Sequence, residues 1–279
     1  MNRIDQRFQA LKAAGRVALV PYVTAGHPMP EATVDILHAA VEAGADLVEL
    51  GMPFSDVMAD GPVIQNACAR ALDQGTNLDQ VFDMVRRFRE SDSDTPLILM
   101  GYTNPIERRS PELFARQAAE AGVDGVLVVD CPVDEARQLQ GLLKDQGLHQ
   151  IFLVAPTTND QRLTRAAELA GGFVYYVSVK GVTGAATLDV DSLAPMVERI
   201  RGHVRLPVAV GFGIREPAQA AAVAATADAV VIGSALVERL DCCADAEQAR
   251  AVVHDFLAPV RQAMDNNALT SNDKMVTAS

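Results

Sequence analysis

Apolar runs of four to seven residues alternate along this chain with longer stretches whose apolar positions recur three or four apart. Short runs read as strands and the periodic stretches as helices. The pattern opens with a helix over about Asp5 to Ala14, stopped by Gly15, and a strand over Val17 to Val23 with a turn signal at Ala25 to Pro28. Glu31 to Ala43 follows as a helix through its Val34, Leu37, Val41 stripe, then a strand over Asp46 to Leu50 and helical pattern over Val63–Leu72 and Leu78–Arg89. Leu97 to Gly101 is the third strand, Pro111 to Ala121 a helix with Pro at its start and Gly122 past its end, and Gly125 to Val129 the fourth strand. The second half repeats the alternation: helix Asp134–Gln146, strand Ile151–Val154, helix Asp160–Ala170, strand Phe173–Ser178, helix Val190–Arg201, strand Pro207–Val210, helix Glu216–Ala225, strand Ala229–Ile232, and a last helical region over about Glu247 to Asp265.

Eight short apolar strands, each followed by helix over roughly 250 residues, predict an α/β chain folded as a closed (β/α)8 TIM barrel rather than an open doubly wound sheet. One domain over residues 1–265 accounts for the pattern, with an extra helix at its N-terminus. The polar stretch 266–279, poor in large apolar residues, is expected to be a disordered tail.

Composition adds mostly exclusions. An apolar share of 49% with 22% charged residues is ordinary for a globular chain, and no apolar run approaches the length of a membrane span. The start, MNRIDQRFQALKAAG, lacks the features of a secretory signal, so a cytoplasmic setting is expected. Cys68, Cys131, Cys242 and Cys243 have neither disulfide-framework nor zinc-like spacing and read as reduced thiols. A net charge of −12 with no basic stripe argues against nucleic acid, although backbone amides can still hold a small phosphorylated ligand.

Chemistry in such a barrel belongs at the C-terminal ends of the strands. Those ends carry Tyr22 and Thr24, Glu49, Tyr102 and Asn104, Asp130, Tyr175 and Ser178, Gly211 and Gly213, and Gly233 and Ser234. Glu49 stands out: in strand register it shares a face with Leu47, so it points toward something buried, and burial raises a carboxyl's pKa into the range useful for proton transfer. The other reading is a strand-end acid paired to an arginine. Asp56 and Asp60 follow in a Gly/Pro-punctuated loop. After the seventh and eighth strands, GFGIREP and IGSAL have the form of the phosphate cradle common in this fold, and KGVTGAA after the sixth has glycines suited to a lid. Schiff-base chemistry has one poorly placed lysine, Lys180; no histidine pair has metal-ligand spacing; no GxSxG turn is present; and Cys131 has no obvious histidine partner. Cofactor-free proton transfer by carboxylates remains.

The stretches ELGMPFSDVMADGPVIQNA, DCPVDEA, YYVSVKGVTG, GFGI and IGSA together resemble the tryptophan synthase alpha-subunit family, over nearly the whole chain from Met1 to about Asp265. The resemblance implies retro-aldol cleavage of indole-3-glycerol phosphate to indole and glyceraldehyde 3-phosphate, with no cofactor in this subunit. It implies Glu49 as the acid/base, Asp60 as the carboxylate that engages the indole nitrogen, and Tyr175 as a phenol near the acid. Tyr22, Met100, Tyr102, Leu127 and Phe212 are then walls for the indole or plain barrel filling, Gly184, Gly213, Gly233 and Ser234 match the phosphate positions, and Gly211 at the end of the seventh strand is a further substrate-binding candidate. Thr183 matches the residue that latches the lid toward the Asp60 loop. Pro53 and Asp56 lie on the face the family turns toward its beta subunit, a pyridoxal-phosphate enzyme, in an α2β2 assembly. The chain departs from the family where Val57 and Met58 replace a usual proline and leucine, and where Val179 and Lys180 replace an arginine and a small residue; partner contacts and loop behaviour are the properties this bears on. A different class of reading keeps the barrel mainly as an allosteric partner of a beta-type enzyme, with little activity of its own.

Overall fold

The computed structural model describes the backbone of residues 1–177, 190–211 and 213–276, and the side chains of these apart from 190–192 and 267–276. Helix α1 (Arg3–Ala13) precedes the strands β1 (Ala18–Thr24), β2 (Val48–Gly51), β3 (Leu97–Gly101), β4 (Gly125–Val128), β5 (His149–Val154), β6 (Val174–Val177), β7 (Val208–Gly211) and β8 (Ala229–Ile232). Every neighbouring pair is parallel, and β8 returns to β1 to close the barrel. Between and after them lie a 3₁₀ turn (Pro30–Ala32), α2 (Thr33–Glu42), α3 (Pro62–Asp73), α4 (Leu78–Arg89), α5 (Thr103–Arg109), α6 (Pro111–Ala121), α7 (Arg137–Asp145), α8 (Asp160–Leu169), α9 (Val190–Arg201), α10 (Pro217–Ala224), α11 (Ser234–Leu240) and α12 (Ala246–Val276).

Local chemistry sets many of the boundaries. Asn77 caps α4 through the amides of Asp79 and Gln80, while the Gln80 side chain accepts from the Asn77 amide. Pro111 fits the first turn of α6, and Gly122, in the left-handed region at φ 97°, ends it. Two differences from the sequence-based expectation are whole helices, α5 and α11, each seven residues long. At the C-terminus, the backbone of α12 is helical through 266–276, within the stretch expected as a tail. No glycine or proline interrupts that stretch, so a helix already anchored by buried Leu257, Val260 and Met264 can propagate through it.

Strand alternation builds two cores. Val48, Leu50, Leu97, Leu99, Val126 and Val208 face the helices, while Ala18, Val20, Leu47, Ile98, Leu127, Ile151, Ala209, Ala229 and Val231 fill the barrel. Helix α1 closes the lower end with Ile4, Phe8 and Leu11, Phe8 packing on Phe173 with ring centroids 5.7 Å apart. Each fully buried large side chain contributes about 1.5–3 kcal/mol over an exposed one, so interior filling by α1 matters to closure.

The same device recurs at the strand feet. Asp46, Asp124 and Asp228 precede β2, β4 and β8, and their carboxylates accept from the amides of Leu19 (3.0 Å), Leu97 (2.9 Å) and Val208 (2.8 Å) on the preceding strand. Arginines complete each foot: Arg261 at 3.1 Å from Asp46, Arg3 and Arg89 at 2.7 and 2.9 Å from Asp124, and Arg201 at 3.2 Å from Asp228. The lower rim is thus pinned by charge-assisted hydrogen bonds, leaving the upper rim for chemistry.

Candidate active site

Strand β2 pairs Glu49 with Tyr22 of β1 and Ile98 of β3, and the alternation that puts Leu47 in the barrel puts Glu49 there too, one layer higher. Glu49 is 1% exposed, and no arginine pairs with it among the described residues, which removes the strand-end ion-pair reading. Burial, reinforced by the negative charge of Asp60, pushes its pKa up to about 8. A carboxyl in that state is mostly protonated at neutral pH.

Asp60 lies in the loop between β2 and α3 and is half-buried. Burial raises its pKa, but the Tyr102 hydroxyl donates to its Oδ2 at 2.7 Å and holds it down. The same hydroxyl accepts from the Ala59 amide at 3.1 Å, so Tyr102 fixes the loop as well as the carboxylate. Sequence reasoning makes Tyr102 an indole wall; the structure shows its polar end engaged with Asp60 and its ring 5.7 Å from that of Phe54. Burial raises both carboxyl groups in this mouth, but only Asp60 has a hydrogen bond that opposes the rise, so Glu49 is the one driven further toward the acid form.

Two further phenols line the same space. Tyr175, on β6, has its pKa raised by burial and then by the charges of Glu49 and Asp60, which places it within the field of both. Gly211 makes room for it: a Cβ there would lie 2.4 Å from the Tyr175 hydroxyl. Tyr22, hydrogen-bonded to Thr24 at 3.3 Å, is likewise held neutral by burial, and a Cβ on Gly51 would meet its hydroxyl at 2.1 Å. Met100 and Leu127 pair across β3 and β4 at the same height.

At the far side of the mouth, Gly213 adopts φ 64°, a conformation that favours glycine, just past β7. Gly233 precedes α11 and its carbonyl accepts from the Leu236 and Val237 amides, so within the first turn the amides of Ser234 and Ala235 are the ones without an intrahelical acceptor. Ser178, Val179, Lys180, Thr183, Gly184 and Phe212 lie outside the described residues. Asp130 is turned to another purpose: its carboxylate accepts from the Thr103 amide (2.7 Å) and hydroxyl (2.9 Å), capping α5. Asn104 is exposed on α5. Burial raises the thiols of Cys68, to about 11, and of Cys131, leaving neither an activated nucleophile.

Several lining residues escape sequence reasoning. Val57, Ile64, Cys68 and Val237 cluster with Tyr22 and Tyr102, flanked by Phe54, Met100 and Val129. The spacing of Ile64, Ala67, Cys68 and Ala71 marks an apolar face on α3, but only the fold shows that this face abuts the carboxylates. Among the described residues no cluster of His, Cys, Asp and Glu is arranged to hold a metal ion, and no helix is long and apolar enough to cross a membrane.

A family model described as tryptophan synthase alpha chain matches residues 8–268. The chain belongs to the tryptophan synthase alpha chain family. It is 57% identical over 266 residues to the tryptophan synthase alpha chain of Thioalkalivibrio sulfidiphilus, covering 95% of this chain and 100% of that one. The alpha chain of Alkalilimnicola ehrlichii is 55% identical, with 96% and 98% covered. Among solved structures, tryptophan synthase subunit alpha from Legionella pneumophila superposes with a TM-score of 0.90 at 44% identity, over 95% of this chain and 99% of that one. A chain of tryptophan synthase from M. tuberculosis in its open form gives 0.82 at 34% identity, over 93% and 99%. Family membership makes the protein a lyase of tryptophan biosynthesis acting on indole-3-glycerol phosphate, an alpha subunit that works with a beta subunit.

Proposed function

We propose that Glu49 and Asp60 divide the retro-aldol cleavage of indole-3-glycerol phosphate to indole and glyceraldehyde 3-phosphate. Protonated Glu49 gives its proton to indole C3, and the resulting carboxylate takes the proton of the side-chain hydroxyl as the carbon–carbon bond breaks. The acid is restored within one turnover. Asp60, whose ionised form the Tyr102 hydrogen bond favours, opposes the positive charge that builds on the ring nitrogen when C3 is protonated. The observation that carries this reading is the buried Glu49 with its pKa near 8 beside an Asp60 whose hydrogen bond favours the ionised form.

Tyr22, Met100, Leu127 and Tyr175 form walls for the ring, and the loops holding Gly211, Gly213, Gly233 and Ser234 receive the phosphate. These proton transfers call for no cofactor in this subunit, and pyridoxal phosphate belongs to the beta partner. Pro53 and Asp56 face that partner in an α2β2 assembly. Neighbouring Met58, 85% exposed, supports a docking role for this loop, because a large apolar side chain so exposed gains from being covered. We place the complex in the cytoplasm, where the four free cysteines stay reduced.

Glu49→Gln tests the assignment. Removing a positioned acid/base lowers kcat by about 10²- to 10⁴-fold. Binding of indole and of inorganic phosphate should persist, since the amide keeps the side chain's shape. Near-normal turnover by this variant rules the role out.

A further inference from the structure

His27 is buried in the turn after β1 and takes no part in the proposed chemistry. Its Nε2 lies 3.2 Å from Asp241 Oδ1, while Nδ1 is buried without a partner among the described residues. Because a carboxylate only accepts, the neutral ring carries its proton on Nε2 and donates it to Asp241. Arg70 also donates to Asp241, to Oδ1 and, at 3.0 Å, to the backbone oxygen. Gln74, one residue past α3, donates from Nε2 to the Pro28 carbonyl at 2.9 Å. Gly26 is pressed so closely on Thr76 that a Cβ would lie 2.1 Å from its hydroxyl.

These contacts join three segments at one point. Arg70 is in the last turn of α3, whose first residue, Pro62, follows Asp60 by two positions. Asp241 caps the end of α11, whose first residue, Ser234, stands in the expected phosphate loop. His27 lies three residues past the end of β1, whose Tyr22 pairs with Glu49. Both helices therefore start at or next to a site residue and end at Asp241, α11 by its cap and α3 through Arg70, where His27 also bonds.

We infer that the His27–Asp241–Arg70 node is a positioning device for the lyase reaction, fixing the separation between Asp60 at the head of α3 and the anion-binding loop at the head of α11. His27 touches no substrate; it acts through the two helices. The twelve residues of α3 make a lever of about 18 Å. A tilt of about 3° at the node moves the Asp60 end by about 1 Å, and a 1 Å misplacement costs up to about 10²-fold in rate.

The inference rests on the roles given above to Asp60 and Ser234, and the test separates the two. In the full-length protein, His27→Leu removes the donor and His27→Gln keeps an N–H group near the position of Nε2. For His27→Leu the expected loss in kcat/KM for indole-3-glycerol phosphate is about 10- to 10²-fold, while the inhibition constants of indole alone and of inorganic phosphate alone stay unchanged. Each fragment then still finds its own subsite, and only the span between them is wrong. His27→Gln should return to within about threefold of the parent. The inference is overturned if folded His27→Leu keeps parental kcat/KM, if the Gln variant is as impaired as the Leu variant, or if both fragments weaken in step with the substrate. Should His27→Leu fail to fold, Arg70→Met, on the exposed side of the node, must show the same loss with the same fragment binding; parental activity there also overturns it. A parent protein that releases no indole at all would instead remove the reading of the carboxylates.

Discussion

Replacing Tyr102 by Phe isolates the contribution of one hydroxyl to the ionisation of Asp60. The ring is 2% exposed and packs beside Phe54, so Phe preserves the apolar contacts and the melting temperature should hold to within a few degrees. What disappears is the 2.7 Å donation to Asp60 and the 3.1 Å acceptance from Ala59. A hydrogen bond to a charged acceptor is worth about 1.5–3 kcal/mol, and the half-exposed loop argues for the lower end. About 1.4 kcal/mol corresponds to one pH unit of carboxyl ionisation. Since the lost bond favoured the charged form, the Asp60 pKa rises, and activity that needs the anion is lost at higher pH than in the parent. The assay is kcat/KM for indole release between pH 5 and 9, which reports the free enzyme's ionisations. The acid limb should move up by about one unit, with about tenfold lower kcat/KM at a pH on that limb, while the alkaline limb, set by Glu49 near 8, stays in place. An unmoved acid limb refutes the idea that Tyr102 keeps Asp60 ionised, and an alkaline limb that moves instead means the phenol acts on Glu49.

Glu49 also leaves a mark on stability. Its folded pKa, near 8, exceeds its ordinary 4.5, so between these values the unfolded chain has lost a proton that the folded chain retains. Stability from this group is complete below pH 4.5 and declines until pH 8, an effect of the order of 5 kcal/mol at most. Glu49→Gln, having no such titration, should melt about 5–10 °C above the parent at pH 9 relative to any difference at pH 4; parallel melting curves across this range would contradict the raised pKa. Asp124→Ala strips the Leu97 amide and two arginines of their acceptor at the foot of the barrel, and breaking a buried pair costs about 3–5 kcal/mol. Urea unfolding should show that loss with kcat/KM unchanged below the transition, whereas unaltered stability would mean that Arg3 and Arg89 find other acceptors.

The barrel is legible in the sequence because strand and helix periods are local properties. All eight strands occupy the predicted places, with β3 and α6 on the same residues. The two missed helices have non-local causes. Helix α5 is capped by Asp130, 27 positions from Thr103 in sequence, and α11 follows β8 so directly that its apolar residues read as more of the same run. The site divides along the same line. Glu49 is legible because burying a lone acid in an apolar strand is costly and buys no packing, whereas the hydroxyl of Tyr102 reaches Asp60 across 42 positions of sequence. Asp130 and His27 illustrate the converse: both sit near strand tops, yet one caps a helix and the other joins two.

The aspartates beneath β2, β4 and β8 carry an evolutionary corollary. They fasten the strands at the end remote from substrate, so residues around the opening can be exchanged without loosening the staves. A lineage in which Val57, Met58 or the lid drifted would still inherit a properly closed vessel, and selection could retune ligand choice or partner choice with little penalty in folding. Grafting foreign loops onto this framework should therefore succeed most readily where those acidic anchors and their guanidinium companions are left untouched.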